Sequence, residues 1–339
     1  MTQTNAPTLD DVAKRAGVST ATVSRCLNSP ERVVEKTRER VLKAVQELGY
    51  TPNFAARVMA AKRTFTIGAI IPTMDNAIFA WGLQAFQEEL HRKGYTLLVA
   101  SSAYNPELEE EQIKALVARG ADGLLLIGHE RSSNIYDYLD QQGIPTLCAW
   151  SYLPDARLPS IGFDNHAAMR ALTQEILQLG HRKIAMISAF TKGNDRAQLR
   201  VDGLKDALRK GGIDPEGAHI IETNYGVESG AKAFEKIMQT KDRPTAVLCG
   251  NDVIAVGALR AAKQMGLSVP RDVSITGFDD MELARIVEPP LTTVRVPHHE
   301  MGQKAAQELV AMVERESKGV ARCLETQIIT RGSIGPAKI

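Results

Sequence analysis

Apolar residues recur along this chain with two different periods. Near the start, Leu9, Val12, Ala13 and Ala16 fall at i, i+3, i+4 and i+7, a narrow stripe that predicts a short helix. Thr8-Leu9-Asp10-Asp11 reads as a capping box in front of it, with a hydroxyl for the first orphan N–H groups and an acidic residue three positions later. Gly17 predicts the stop, Val18 turns inward, and Ser19 is placed to cap a second helix that runs to Leu27 with Val23 and Leu27 inside. A third helix is expected from about Glu35 to Leu48, packed through Val41, Ala44, Val45 and Leu48. The run Leu48-Gly49-Tyr50-Thr51-Pro52-Asn53 breaks the pattern. The segment after it, Asn53–Ala61, has few large apolar residues (Phe54, Val58, Met59), so it is a linker or a helix that forms only against a partner.

From Phe65 onward, short apolar runs alternate with amphipathic stretches. The runs Ile67–Ile71, Thr96–Ala100, Gly123–Ile127, Pro145–Ala149, Ile184–Ile187, Ala246–Cys249 and Val273–Phe278 predict strands. Between them Phe79–Arg92, Glu107–Arg119, Asn165–Leu179, Gln198–Lys210, Glu228–Thr240 and Ala255–Met265 predict helices. Such alternation argues for parallel sheets with helices on both faces. The units are too many for one sheet, and two lobes are the natural division. Crossings between lobes are expected near Ser160–Asp164, at Pro289-Pro290 followed by Leu291–Val296, and near 322–328, leading into a last strand at Thr326–Thr330.

Size and composition narrow the class. The 339 residues can bury a sizeable core in two or three domains, and no apolar run approaches the length of a membrane span. No basic stretch followed by an apolar one opens the chain, which makes a cytoplasmic location the expectation. Cys26, Cys148, Cys249 and Cys323 lie far apart without metal-ligand spacing, and they read as small buried hydrophobes. The net charge of +1 hides an asymmetry: residues 1–63 carry eleven Lys/Arg against six Asp/Glu, and the remainder 30 against 34. A basic head on a mildly acidic body suits a polyanion partner for the head.

The outer face of the second helix carries Thr20, Ala21, Ser24, Arg25 and Asn28. Small residues let a backbone approach a major groove, and an arginine fork matches the O6/N7 edge of guanine. A solvated face of an ordinary helical hairpin is the alternative.

The runs TLDDVAKRAGVSTATVSRCLNSP and VVEKTRERVLKAVQELGYTPNFAARVM resemble the head and hinge of the LacI/GalR family of bacterial regulators, and the resemblance continues through nearly the whole chain. It implies an all-α helix-turn-helix head (1–52), a hinge helix (53–63) and an α/β two-lobed, type I periplasmic-binding-protein-like domain with parallel sheets (64–339). It implies that Thr20, Ala21 and Arg25 read bases, with Ser19, Thr22, Ser24 and Asn28 nearer the phosphates. Asn53 and Arg57 join this DNA-binding set, with Lys62 a further phosphate contact, and Met59 stands where the family commonly wedges a leucine into the minor groove. A homodimer on pseudo-palindromic operator DNA and a small effector between the lobes follow, with cleft closure changing the spacing of the hinge helices. No cofactor or metal is expected.

Ligands of open parallel sheets bind beyond the carboxyl ends of the strands. Those ends deliver Asp75, Asn76 and Phe79, then His129, Trp150, Arg196, Arg200, Tyr225, Asn251-Asp252 and Asp279-Asp280, with Asp164 at the first crossing. Aromatic faces, arginines and carboxylates of this kind suit a polar, hydroxyl-rich ligand. The resemblance supports Phe79, Trp150, Arg200, Tyr225, Asn251 and Asp279 individually. The stretches IGAIIPTMDNAIFAWGLQAF, AYNPELEEEQ and IGFDNHAAMRALTQ look like gluconate-responsive members, and a paired Arg196 and Arg200 would grip a carboxylate; Gly277-Phe278-Asp279-Asp280 follows the general sugar pattern instead. His298-His299-Glu300 reads as the start of a surface helix.

Two other classes compete. An enzyme would need a phosphate loop, a GxSxG elbow or an HExxH helix, and none occurs. A free solute-binding protein would lack the helix-turn-helix.

Overall fold

The computed structural model describes residues 6–28, 30–51 and 63–338. The chain divides at Thr64–Phe65 into two compact units. The expected hinge positions Asn53, Arg57, Met59 and Lys62 lie outside the described residues.

The first unit holds α1 (Leu9–Ala16), α2 (Thr20–Asn28) and α3 (Glu35–Leu48). The capping box forms: Asp11 N donates to Thr8 Oγ1 at 3.3 Å and Thr8 N to Asp11 Oδ2 at 2.8 Å. Gly17 ends α1 with φ 64°, where a left-handed backbone costs glycine nothing. Val12, Ala13, Ala16, Val23, Cys26, Val41, Ala44 and Tyr50 form the core, with Leu9, Val18, Leu27, Val45 and Leu48 packed against it.

The second unit begins with β1 (Thr66–Ile71), α4 (Ala77–Arg92), β2 (Thr96–Ser101), α5 (Pro106–Ala118), β3 (Gly123–Ile127), α6 (Ser133–Gln142), β4 (Thr146–Ala149) and β5 (Ser160–Gly162). It continues through α7 (Asn165–Gln178), β6 (Ile184–Ala189), α8 (Asp195–Lys210), β7 (His219–Thr223), α9 (Val227–Met238), β8 (Ala246–Cys249), α10 (Asp252–Gln264) and β9 (Ser274–Thr276). A short α11 (Leu283–Ile286), β10 (Thr293–Arg295), α12 (His298–Val313), β11 (Arg322–Cys323) and β12 (Gln327–Ile329) complete it. One sheet has the order β2-β1-β3-β4-β5-β11 and the other β7-β6-β8-β9, all parallel, while β10 and β12 pair antiparallel. The two-lobed α/β architecture with parallel sheets is therefore the observed one.

β1, β3, β4, β6 and β8 are buried along their whole length, which is why they read as unbroken apolar runs. The chain leaves the first sheet after β5 and enters α7 of the second lobe, returns through β10 to α12, and passes back after β11 and β12. Its tail is stitched to the second lobe, with Ile275 N donating to Ser333 O and Ala337 N to Leu179 O, both at 2.9 Å. Helices α4 and α12 pack backbone to backbone, since a Cβ on Gly302 would fall on the Gly82 carbonyl.

Four features differ from the sequence reading. β7 and α6 were not anticipated: β7 is an edge strand with His219 and Glu222 interrupting its apolar residues, and α6 is largely polar. Cys323 is exposed on the edge strand β11, unlike the three buried cysteines. And α12 is no surface helix. Its first residue, His298, is 4% exposed, and one whole face from Met301 to Val313 enters the core.

Candidate functional site

In the head, Ser19 Oγ accepts from Thr22 N at 3.2 Å and fixes the start of α2. Val23 and Cys26 point into the core, so the opposite face is presented outward. Thr20, Ala21 and Arg25 are exposed there, as is Ser19, while Thr22 and Ser24 are half-buried. Asn28 closes the helix; its side chain lies outside the described set. The outward face is thus short side chains around one long guanidinium.

In the second unit, a cavity of about 400 Å³ lies between the strand ends of the two lobes. The first lobe contributes Thr73, Asp75, Asn76 and Tyr104, and the second Phe190, Lys192, Asn194, Thr223, Asn224 and Tyr225. Tyr104, Phe190 and Tyr225 give it aromatic walls, the rings of Tyr104 and Tyr225 standing 5.9 Å apart. Asn76 caps α4 through Oδ1, which accepts from Ile78 N at 3.3 Å, and its buried Nδ2 has no protein partner.

A buried polar chain adjoins this cavity at Tyr225. Arg200 Nη2 donates to Tyr225 Oη at 3.1 Å and Nη1 to Asn165 Oδ1 at 2.8 Å, and its guanidinium lies 4.9 Å from the centre of the Phe278 ring. Asn165 Nδ2 in turn donates to Trp150 O at 3.0 Å. Trp150 Nε1 donates to His298 Nδ1 at 3.2 Å, and His298 Nε2 stands 3.9 Å from Asp279 Oδ1. Phe79 packs on Trp150 with ring centres 5.4 Å apart. Burial pushes the Asp279 carboxyl well above its usual range, against the opposing pull of Arg200. Asn251 caps α10 through Ile254 N at 2.8 Å and keeps a buried Nδ2 without a protein partner.

Ala103, Tyr104, Trp150, Asp279 and Asp280 are five of the seven described non-glycine residues with positive φ. Backbone held in this sparsely populated region concentrates at functional sites, where surrounding structure over-determines it. Here it concentrates at the strand ends that frame the cleft.

Of the ten expected effector residues, Asn76 and Tyr225 line the cavity, Phe79, Trp150, Arg200 and Asp279 lie in the buried chain beside it, and the others lie in neither. Asp164 is exposed and caps α7, its Oδ1 accepting from Ala167 N at 2.8 Å. The His129 ring is buried and lines no part of the 400 Å³ cavity, and burial lowers its pKa. Arg196 does not form a fork with Arg200: its Nη1 donates to Asp195 Oδ1 at 2.8 Å and to Ile127 O at 3.1 Å. The residue before it already neutralises it, which removes the paired-arginine argument for a carboxylate ligand. Conversely, Tyr104, Asn165, Phe190 and His298 were missed. Phe190 directly follows β6 and Tyr104 lies three residues beyond β2, so both were open to the same strand-end reasoning; His298 carried no local signal.

His298 makes the unit sensitive to acid. Burial lowers its pKa from 6.5 to about 4. The unfolded chain takes up this proton as pH falls through 6.5 while the folded chain does not, so stability present above 6.5 drains away toward pH 4. Asp252, pushed up to about 7 by burial, has the opposite slope and loses its contribution as pH rises through that value. Urea unfolding at pH 7 and pH 5 should therefore show a smaller acid loss in His298→Gln than in the unmodified chain; equal losses would mean that His298 titrates normally.

A helix-turn-helix head joined to two parallel α/β lobes around a polar cleft defines a DNA-binding regulator with a small-molecule sensor. The family model for bacterial regulatory proteins, lacI family, matches residues 8–53, and that for a periplasmic binding protein-like domain matches residues 173–334. The HTH-type transcriptional repressor CytR of Escherichia coli K12 is 33% identical over 332 residues, spanning 98% of this chain and 97% of that one. A lac repressor dimer bound to operator and the anti-inducer ONPF superimposes with a TM-score of 0.87 at 27% identity, covering 97% of this chain and 99% of that one. A CelR–cellobiose complex matches with a TM-score of 0.71 at 29% identity over 96% and 99% of the two chains. The chain belongs to the LacI family and is a DNA-binding transcriptional regulator.

Proposed function

We propose that this regulator is a repressor that binds a pseudo-palindromic operator as a homodimer and is controlled by a sugar or sugar acid held between the lobes. The observation that carries the effector half is the cavity of about 400 Å³, whose aromatic walls are interleaved with amides, hydroxyls, Asp75 and Lys192. Aromatic faces cover the C–H surface of a polyol while amides and hydroxyls meet its oxygens. The cellobiose of the CelR complex supports a sugar by analogy. With Arg196 neutralised by Asp195, a carboxylate would fall to Lys192 and Arg200. In this reading residues 1–52 are the head, 53–63 the hinge helix and 64–339 the sensor. Thr20, Ala21 and Arg25 read bases.

The dimer is supported by the edge strand β2, which leaves Leu98 and Val99 exposed, and by exposed Trp81 on the adjoining α4. An apolar edge of this kind is covered in a stable soluble protein, and a second copy is the natural cover. No described helix is long and apolar enough to cross a membrane. A DNA-binding regulatory role supports a cytoplasmic location and a function without a catalytic step.

A thermal-shift panel of sugars, sugar acids and purines tests the reading. A cleft ligand at 100 times its Kd stabilises the folded state by about 2.7 kcal/mol, and the same compound is expected to change operator binding in a gel shift. Stabilisation by a purine alone would overturn the sugar class. A stabilising sugar with no effect on DNA binding would overturn the coupling.

A further inference from the structure

We propose that Asp195, Arg196 and Glu130 form a clasp that holds the two lobes together without effector, so that ligand enters a cleft already biased towards closure. The second-lobe segment 193–196 lies against the first-lobe segment 127–130, the turn between β3 and α6, and three hydrogen bonds join them. His129 N donates to Asp195 Oδ2 at 2.8 Å, Arg196 Nη1 to Ile127 O at 3.1 Å, and Gly193 N to Glu130 Oε1 at 3.1 Å. Arg196 is steered by its bond to Asp195 Oδ1, so the two side chains act as one unit.

The approach is closer than a side chain permits. Gly128 has φ 71°, and a Cβ there would fall on Arg196 Nη1 and on the Asp195 carboxylate. The side chains of Asp195 and Arg196 are 13% and 9% exposed, so the contact is shielded from the competition that weakens surface ion pairs. Burial pushes the Asp195 carboxyl up, but Arg196 and the His129 N–H outweigh it, and the group stays below its usual range.

The clasp also shares a loop with the cavity. Lys192 and Asn194 line the 400 Å³ space, while Gly193, Asp195 and Arg196 face the first lobe and a much smaller gap beside Tyr104. A ligand seated on Lys192 and Asn194 would act directly on the clasp residues between and after them. That step alone rests on the cleft reading. If closure is the ligand-competent arrangement, apparent affinity scales with the fraction already closed, and loosening the clasp weakens effector binding without touching a ligand contact.

Hydrogen exchange on the full chain, with neither effector nor DNA added, tests the clasp apart from the function of the cleft. Asp195→Ala is expected to accelerate exchange at least about tenfold in peptides covering both His129 and Gly193, although the acceptor of Gly193, Glu130, is untouched. Glu130→Ala, at an exposed position that cannot disturb the core, should do the reciprocal and expose the His129 amide although Asp195 remains. Protection lost at both sites in both variants supports a single closing event. Loss confined in each variant to the amide that lost its acceptor would overturn the clasp, leaving only local bonds. Unchanged protection of β6 amides serves as the folding control. A clasp that passes this test alongside a sugar panel that fails would separate the two proposals.

Discussion

Replacing Arg200 with alanine is expected to cost about 2–5 kcal/mol of effector binding, ~30-fold or more in Kd, while operator binding survives. The guanidinium spends one nitrogen on Asn165 and another on Tyr225, lies over Phe278, and offsets the buried Asp279 carboxyl. Nε has no protein partner. Truncation removes a cation from a desolvated site and leaves Asn165 Oδ1 without its donor, so some loss of stability accompanies it, on the order of 1–3 kcal/mol. Arg200→Lys is expected to fail nearly as badly. A lysine keeps the charge but cannot hold two acceptors in a fixed fork. Titration of the stabilising sugar into each variant, with far-UV circular dichroism as the folding control, checks this. An unchanged Kd in Arg200→Ala would remove Arg200 from the effector site.

The difference between Arg200 and Arg196 shows where the sequence was legible. Both lie on α8 at helical spacing of four, which places them on one face, and both follow a strand end. What separates them is Asp195 and a carbonyl at Ile127, some 70 residues upstream, and no local pattern reports a contact of that kind. The same holds for Trp150 and His298, hydrogen-bonded across 148 residues of sequence. His298 opens α12 behind Pro297 and before His299 and Glu300, so its neighbours look like a surface helix start while its own ring is buried. Asn76 and Asn251 were legible as residues beyond strand ends and Asp164 as one at the first crossing; in the structure each also caps the helix that follows. Two of these three are buried and Asp164 is exposed, a difference that position at a strand end or crossing does not report. Sheets buried on both faces announced themselves as apolar runs; β7, on an edge, did not. Local chemistry was visible and distant pairing was not.

The second large effect is expected at Arg25. Changing it to alanine should cost about 1–3 kcal/mol at one base pair of each operator half-site, and little on DNA already altered at that position. Arg25 is exposed on the face of α2 opposite Val23 and Cys26, flanked one turn earlier by the small Ala21 and by Thr20. Such neighbours allow the helix to sit deep enough for a guanidinium to reach a base edge, where its two donors fit guanine O6 and N7 together. Were Arg25 instead directed to a phosphate, the loss would be uniform across sequences, and the slope of log K against log salt would fall by about one. The two outcomes separate in a gel-shift series over single-base operator variants at two salt concentrations. Arg25→Lys sharpens the comparison: were Arg25 directed to a phosphate, a lysine would restore binding almost fully on every operator, whereas at a base edge it donates to guanine without the fork, so discrimination stays low. Recovery of discrimination by lysine would mean that charge, and not the paired donors, chooses the base.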